Sequence, residues 1–117
     1  MIKFSDKITQ AVFKEMVKVA LAEQTCSYQH IGSLVGIPHE HDSLGRYMGE
    51  ISEWFYERHG VLPTVLIVRS DTGKPGDGFP HLAWELKHPD VHNPNFYSDE
   101  TKRTWKLFTK LRKRGQV

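Results

Sequence analysis

The chain has 117 residues, enough for one domain (1–117) around a single core, and its 16 Lys and Arg stand against 14 Asp and Glu for a formal charge of +2. No apolar run approaches the roughly 18 residues that a membrane helix needs, and the opening MIKFSDKITQ is too polar for a secretory signal. With one cysteine, Cys26, no internal disulfide can form, so the expectation is a cytoplasmic protein with no membrane partner.

In chain order, Ser5 is placed to cap a first helix from 6 to about 23. Ile8, Val12, Met16 and Val19 form its main apolar stripe, widened by Phe13, Val17 and Ala20. Ser27 caps a short second helix through Tyr28, His30, Ile31 and Leu34. Gly36 suits a left-handed turn after it, and Pro38 bars continuation. Asp42 or Ser43 then caps a long helix to His59, stopped by Gly60. Leu44, Met48, Ile51 and Phe55 recur along it as one buried stripe, while Ser43, Arg46, Tyr47, Glu50, Glu53 and Trp54 lie opposite. Two helices about a glycine turn, the second with an apolar back and a polar, aromatic front, form the pattern of a helix-turn-helix with its recognition helix at 42–59.

After Gly60 the pattern changes. Thr64 to Val68 is a β-branched run that reads as a buried strand. Three glycines and two prolines between Asp71 and Pro80 predict a loop. From His81 to Lys87, Leu82, Trp84 and Leu86 alternate with Ala83, Glu85 and Lys87, which predicts a half-exposed strand. Strand, loop and strand make a β-hairpin wing, its tip at about 70–81 and carrying Lys74. Ser98 is expected to cap a last helix with Asp99 and Glu100 in its first turn. There Thr104, Leu107, Phe108 and Leu111 share an apolar side. Lys102, Lys106, Lys110 and Lys113 share the other, extended by Arg103 and Arg114. Seven of the sixteen basic residues lie from Lys102 onward with no acid among them, which leaves nine bases against fourteen acids in the first 101 residues. Such a tail suits phosphates or an acidic partner. The fold class expected is α+β, a winged helix-turn-helix with a basic C-terminal helix.

The segment from Tyr28 to Phe79 also resembles the C-terminal DNA-binding half of the O6-alkylguanine alkyltransferases and alkyltransferase-like proteins. Tyr28, Ile31, Gly32, Val35, Gly36 and Pro38 match that family's opening pattern, and Leu44-Gly45-Arg46-Tyr47-Met48 resembles the helix after it. The resemblance covers about half of the chain and implies winged-helix architecture with a DNA-facing surface. It does not extend to alkyl transfer. The family's Pro-Cys-His-Arg motif, or its tryptophan variant, has no counterpart in Leu62-Pro63-Thr64-Val65-Leu66-Ile67, and Cys26 precedes the wrong helix.

The functional expectation is a non-catalytic protein of double-stranded DNA, without cofactor or metal. Ser43, Arg46, Tyr47 and Glu50 would face the major groove, with Arg46 as the guanine reader. Lys74, Lys102, Lys106, Lys110 and Lys113 would touch phosphates. Glu50, Glu53 and the acidic balance of the first 101 residues oppose this. A second class of function is a regulatory module that binds a protein through Tyr47 and Trp54. A third is a Mg²⁺-dependent nuclease, in which Asp77 and Glu85 hold the ion and Lys87, on the same strand face as Glu85, activates water. Metal binding by His39 and His41 about Glu40, or by His88 and His92 about Asp90, lacks the spacing of known sites.

Overall fold

The computed structural model describes residues 2–38 and 42–117, and within these the chain is built mainly of helices. In order they are α1 (Lys7–Leu21), the two-residue strand β1 (Cys26–Ser27), α2 (Tyr28–Val35), α3 (Asp42–His59), a 3₁₀ turn (Pro63–Leu66), β2 (Ile67–Val68), α4 (Gly78–Glu85) and α5 (Phe96–Lys113). β1 and β2 pair in parallel, Cys26 opposite Ile67 and Ser27 opposite Val68.

This architecture corrects the winged-helix expectation, because the hairpin wing is absent from the described residues. Where a second strand is predicted at 81–87, the chain forms α4. Seven residues in which Leu82, Trp84 and Leu86 alternate also fit a helix once Phe79 is included. Phe79 and Ala83 are buried one turn apart, and Leu86 is half-buried beyond them. Pro80 sits in the first turn of α4, where its missing N–H costs no helical bond. The predicted strand at 64–68 keeps its burial but not its backbone. Only Ile67 and Val68 are extended, and Pro63 opens a 3₁₀ turn whose four residues are all buried. Buried Ser52 Oγ and Thr64 Oγ1 lie 2.7 Å apart, and the Thr64 N–H donates to Ser52 Oγ at 3.3 Å, which locks that turn onto α3.

The caps follow simple chemistry. Asp6, rather than Ser5, starts α1 by accepting from the Ile8 and Thr9 amides. Ser27 Oγ accepts from the His30 amide at 3.0 Å, and Gly36 closes α2 at φ 73°. Helix α5 begins two residues before the expected cap, so Ser98 lies within its first turn. Residues 39–41, which contain His39, Glu40 and His41, lie outside the described residues.

α1 runs through the centre of the core. Phe13 meets Phe55 of α3 at 5.7 Å between ring centroids and Phe108 of α5 at 6.2 Å. α5 lies antiparallel to α1. The Ile2 amide bonds the Gln116 carbonyl at one end, and Trp105 Nε1 donates to the Gln24 carbonyl at 3.1 Å at the other. The basic helix is thereby held against the core at both ends.

Candidate nucleic-acid interface

The front of α3 is an open groove lined by Asp6, Gly45, Arg46, Tyr47, Gly49, Glu50 and Glu53. Arg46 is exposed, folded over its neighbour with its guanidinium carbon 5.2 Å from the Tyr47 ring centroid. Glu50 is exposed, and its Oε2 accepts from Thr9 Oγ1 at 3.0 Å, which ties it to α1. Ser43 is half-buried in the first turn. Three carboxylates thus share this groove with one arginine, an arrangement that repels phosphate.

Tyr47 and Trp54 do not form a free aromatic pair. Trp54 is half-buried, edge-on to Phe4 and Phe55, and Arg58 lies over its ring at 4.2 Å. Lys74 is exposed in an ordered turn. The Arg69 amide bonds the Lys74 carbonyl at 2.9 Å, and the Gly73 amide bonds the Arg69 carbonyl at 2.8 Å. Arg69 holds Asp71 through two bonds of 3.0 and 2.8 Å, which keep the Asp71 carboxyl below its usual range. The turn is fixed to α2 where the Gly76 amide donates to Tyr28 Oη at 3.0 Å.

The lysines of α5 form the most coherent charged surface. Lys102, Lys106, Lys110 and Lys113 line one groove with Trp105, Thr109 and, from the end of α1, Glu23. All four lysines are exposed, while Thr104, Phe108 and Leu111 on the other side of the helix are buried. Arg103 departs from the expected basic stripe. Its Nη2 meets Asp90 Oδ2 at 3.0 Å, and its Nη1 donates to Glu100 Oε1 at 3.1 Å.

Glu100 is the centre of a buried network. It has no exposed surface, and its Oε2 accepts from the Leu62 amide at 2.7 Å. Its Oε1 lies 3.2 Å from His88 Nε2, while His88 Nδ1 accepts from the Asp90 amide, so the proton on Nε2 points to the carboxylate. This set was detectable in the sequence. Phe96, Glu100, Thr104 and Phe108 recur every four residues, which places a carboxylate on the apolar stripe of the helix.

The nuclease geometry is not formed. Glu85 ends α4 and pairs with His81 at 2.6 Å, whereas Lys87 follows the helix at φ 60°. The two do not share a strand face. Among the described residues no group of three His, Cys, Asp or Glu side chains is placed to hold a metal ion, and no helix is long and apolar enough to cross a membrane. Burial, with the Glu15 carboxylate second, pushes the Cys26 thiol up to about 11, so it stays protonated near neutral pH. No family model, curated protein or solved structure matches the chain.

Proposed function

We propose that the protein binds double-stranded DNA without acting on it chemically, and that α5 supplies the backbone contacts. One observation carries this reading: four exposed lysines line a single groove on a helix whose opposite side is anchored in the core. From Lys102 to Lys113 the helix advances about 16 Å at its ~1.5 Å rise per residue. That spans about five base pairs of duplex at ~3.4 Å per pair. Trp105 adds an apolar floor on which the lysine stems can lie. The acid-lined front of α3 contributes little to affinity on this reading. Arg46 is its one group suited to a base edge.

Fluorescence anisotropy of a labelled duplex, titrated with salt, tests the proposal. Four phosphate contacts correspond to a log–log salt slope near −3.6, or about a 150-fold loss of affinity between 50 and 200 mM salt. Lys102→Gln with Lys106→Gln should reduce that slope by about 2, and Arg46→Ala should leave it unchanged. Absence of binding at low salt sinks the proposal. So does competition by polyglutamate as effective as that of unlabelled duplex, which would turn the reading toward an acidic protein partner.

A further inference from the structure

Trp105 differs in its surroundings from the other two tryptophans. Trp54 is covered by Arg58 at 4.2 Å and edged by Phe4 and Phe55. Trp84 is 61% exposed, but it stacks with His81 at 6.3 Å, and His81 pairs with Glu85, so it sits beside an acid–imidazole pair. Trp105 is half-buried, packed against the core on one side and lining the lysine groove on the other. Among the described residues no second ring and no cation is stacked on its indole.

The end of α1 sets this ring in place. Past the helix, Glu23 turns at φ 53°, its amide bonds the Ala20 carbonyl at 3.0 Å, and the Gln24 amide bonds the Val19 carbonyl at 3.1 Å. That turn presents the Gln24 carbonyl to α5, where Trp105 Nε1 donates to it at 3.1 Å. The bond satisfies the one polar atom of the indole and fixes one edge of the ring, so what remains for the groove is an apolar face. Lys102 and Thr109 lie a turn before and a turn after Trp105 on the same side of α5, and Lys106 is about a quarter-turn round from it. Among the described residues that line the groove, Glu23 is the one carboxylate, and it comes from the α1 side. The groove is therefore positive along α5 and negative at its α1 edge, with the indole at the boundary.

Phosphates need only the lysines. An apolar aromatic face set beside them suits a nucleobase, because every base has a π-face that can stack while its phosphates stay on the cations. In a paired duplex each base is already covered by its neighbours, whereas an unpaired base is free to stack. We infer that Trp105 is a stacking platform for one unpaired base, and that the preferred DNA is a duplex carrying a single-stranded extension. The inference rests on the DNA reading above. The backbone keeps to the lysines because Glu23 repels phosphate at the other edge, and the first unpaired base turns onto the indole. One stacked base is worth about fivefold to a hundredfold in affinity.

Anisotropy compares three labelled DNAs on the full chain: a blunt duplex, the same duplex with a short single-stranded extension, and the same extension made of abasic sites. The abasic strand adds the same phosphates without bases. The extension should bind at least fivefold more tightly than both others, and Trp105→Leu should remove that advantage while Trp105→Phe keeps most of it. A second readout needs no folded variant. In the parent chain labelled with 5-fluorotryptophan, the Trp105 fluorine resonance should shift with the extended DNA and stay put with the abasic one. If the blunt duplex binds with the lysine-dependent salt slope and the bases of the extension add nothing, the platform is refuted and the α5 reading stands. If the extension binds and moves Trp105 while the blunt duplex does not bind, the platform stands and the duplex reading falls. An advantage that survives Trp105→Leu, or a Trp105 resonance unmoved by the extended DNA, refutes the platform.

Discussion

Replacing Glu100 with glutamine tests the energetic centre of this fold. The side chains are nearly isosteric, so the change isolates charge and hydrogen bonding. In the parent chain both carboxylate oxygens accept: Oε2 from the Leu62 amide at 2.7 Å, Oε1 from Arg103 at 3.1 Å and from His88 across 3.2 Å. A glutamine must point its NH₂ either at the Leu62 N–H or at the His88 and Arg103 donors. Either choice sets donor against donor at a site with no solvent access. Losing charge-assisted bonds worth about 1.5–3 kcal/mol each, and leaving a buried donor unmatched, gives about 3–5 kcal/mol. Against a total stability of about 5–15 kcal/mol this is a large fraction. The assay is urea unfolding: the midpoint should fall markedly with the slope unchanged. Arg103→Gln combined with Glu100→Gln should cost less than the sum of the two, because they act in one network. A Glu100→Gln chain within about 1 kcal/mol of the parent would show that the network does not secure α5, and the reasoning would fail.

Two further outcomes follow from the same packing. Cys26, with its thiol at about 11, should alkylate roughly a hundredfold more slowly at pH 8 in the folded chain than in urea, and its rate should climb as pH rises toward that value; equal rates in both states would contradict its burial. Tyr28→Phe removes the acceptor of the Gly76 amide in the half-buried joint between α2 and the 69–78 turn. It should cost about 1–2 kcal/mol and speed hydrogen exchange at Gly76, so an unchanged exchange rate would rule the bond out as the anchor.

The parts of the fold that could be read from residues alone are those whose signals are local. The Ser27 cap, the left-handed Gly36 and the apolar stripe of α3 each depend on neighbours within a turn, and each stands as read. The stretch 81–87 failed because seven residues satisfy periods of 2 and 3.6 equally well. What decides between them is the contact of Phe79 with Phe96 at 5.8 Å, made by a residue seventeen positions away. The run at 64–68 shows the opposite limit: burial was legible, but the choice of 3₁₀ over strand was made by Ser52 on α3. Arg103 looked like part of the basic face because its partners, Asp90 and Glu100, come together only through the loop before α5. The α5 lysines were legible because, among the described residues, no ion pair draws them off the exposed face.

The placement of charge explains why these lysines, and not the helix-turn-helix front, carry the proposed contacts. Glu50 cannot simply swing away from an approaching phosphate, since its bond to buried Thr9 helps join α3 to α1. Asp6 is likewise committed to the α1 amides. Carboxylates with structural duties stay where they are, so the α3 groove keeps its negative field. On α5 the division is reversed. The one carboxylate that α5 needs for anchoring, Glu100, is withdrawn into the core and met there by His88 and Arg103, leaving the outer face to lysine. The arrangement makes the salt slope informative about geometry. Four phosphates held by the lysine groove account for about −3.6. A slope near −3.6 that drops by about two contacts in the Lys102→Gln and Lys106→Gln pair, and stays unchanged in Arg46→Ala, would place the duplex along α5.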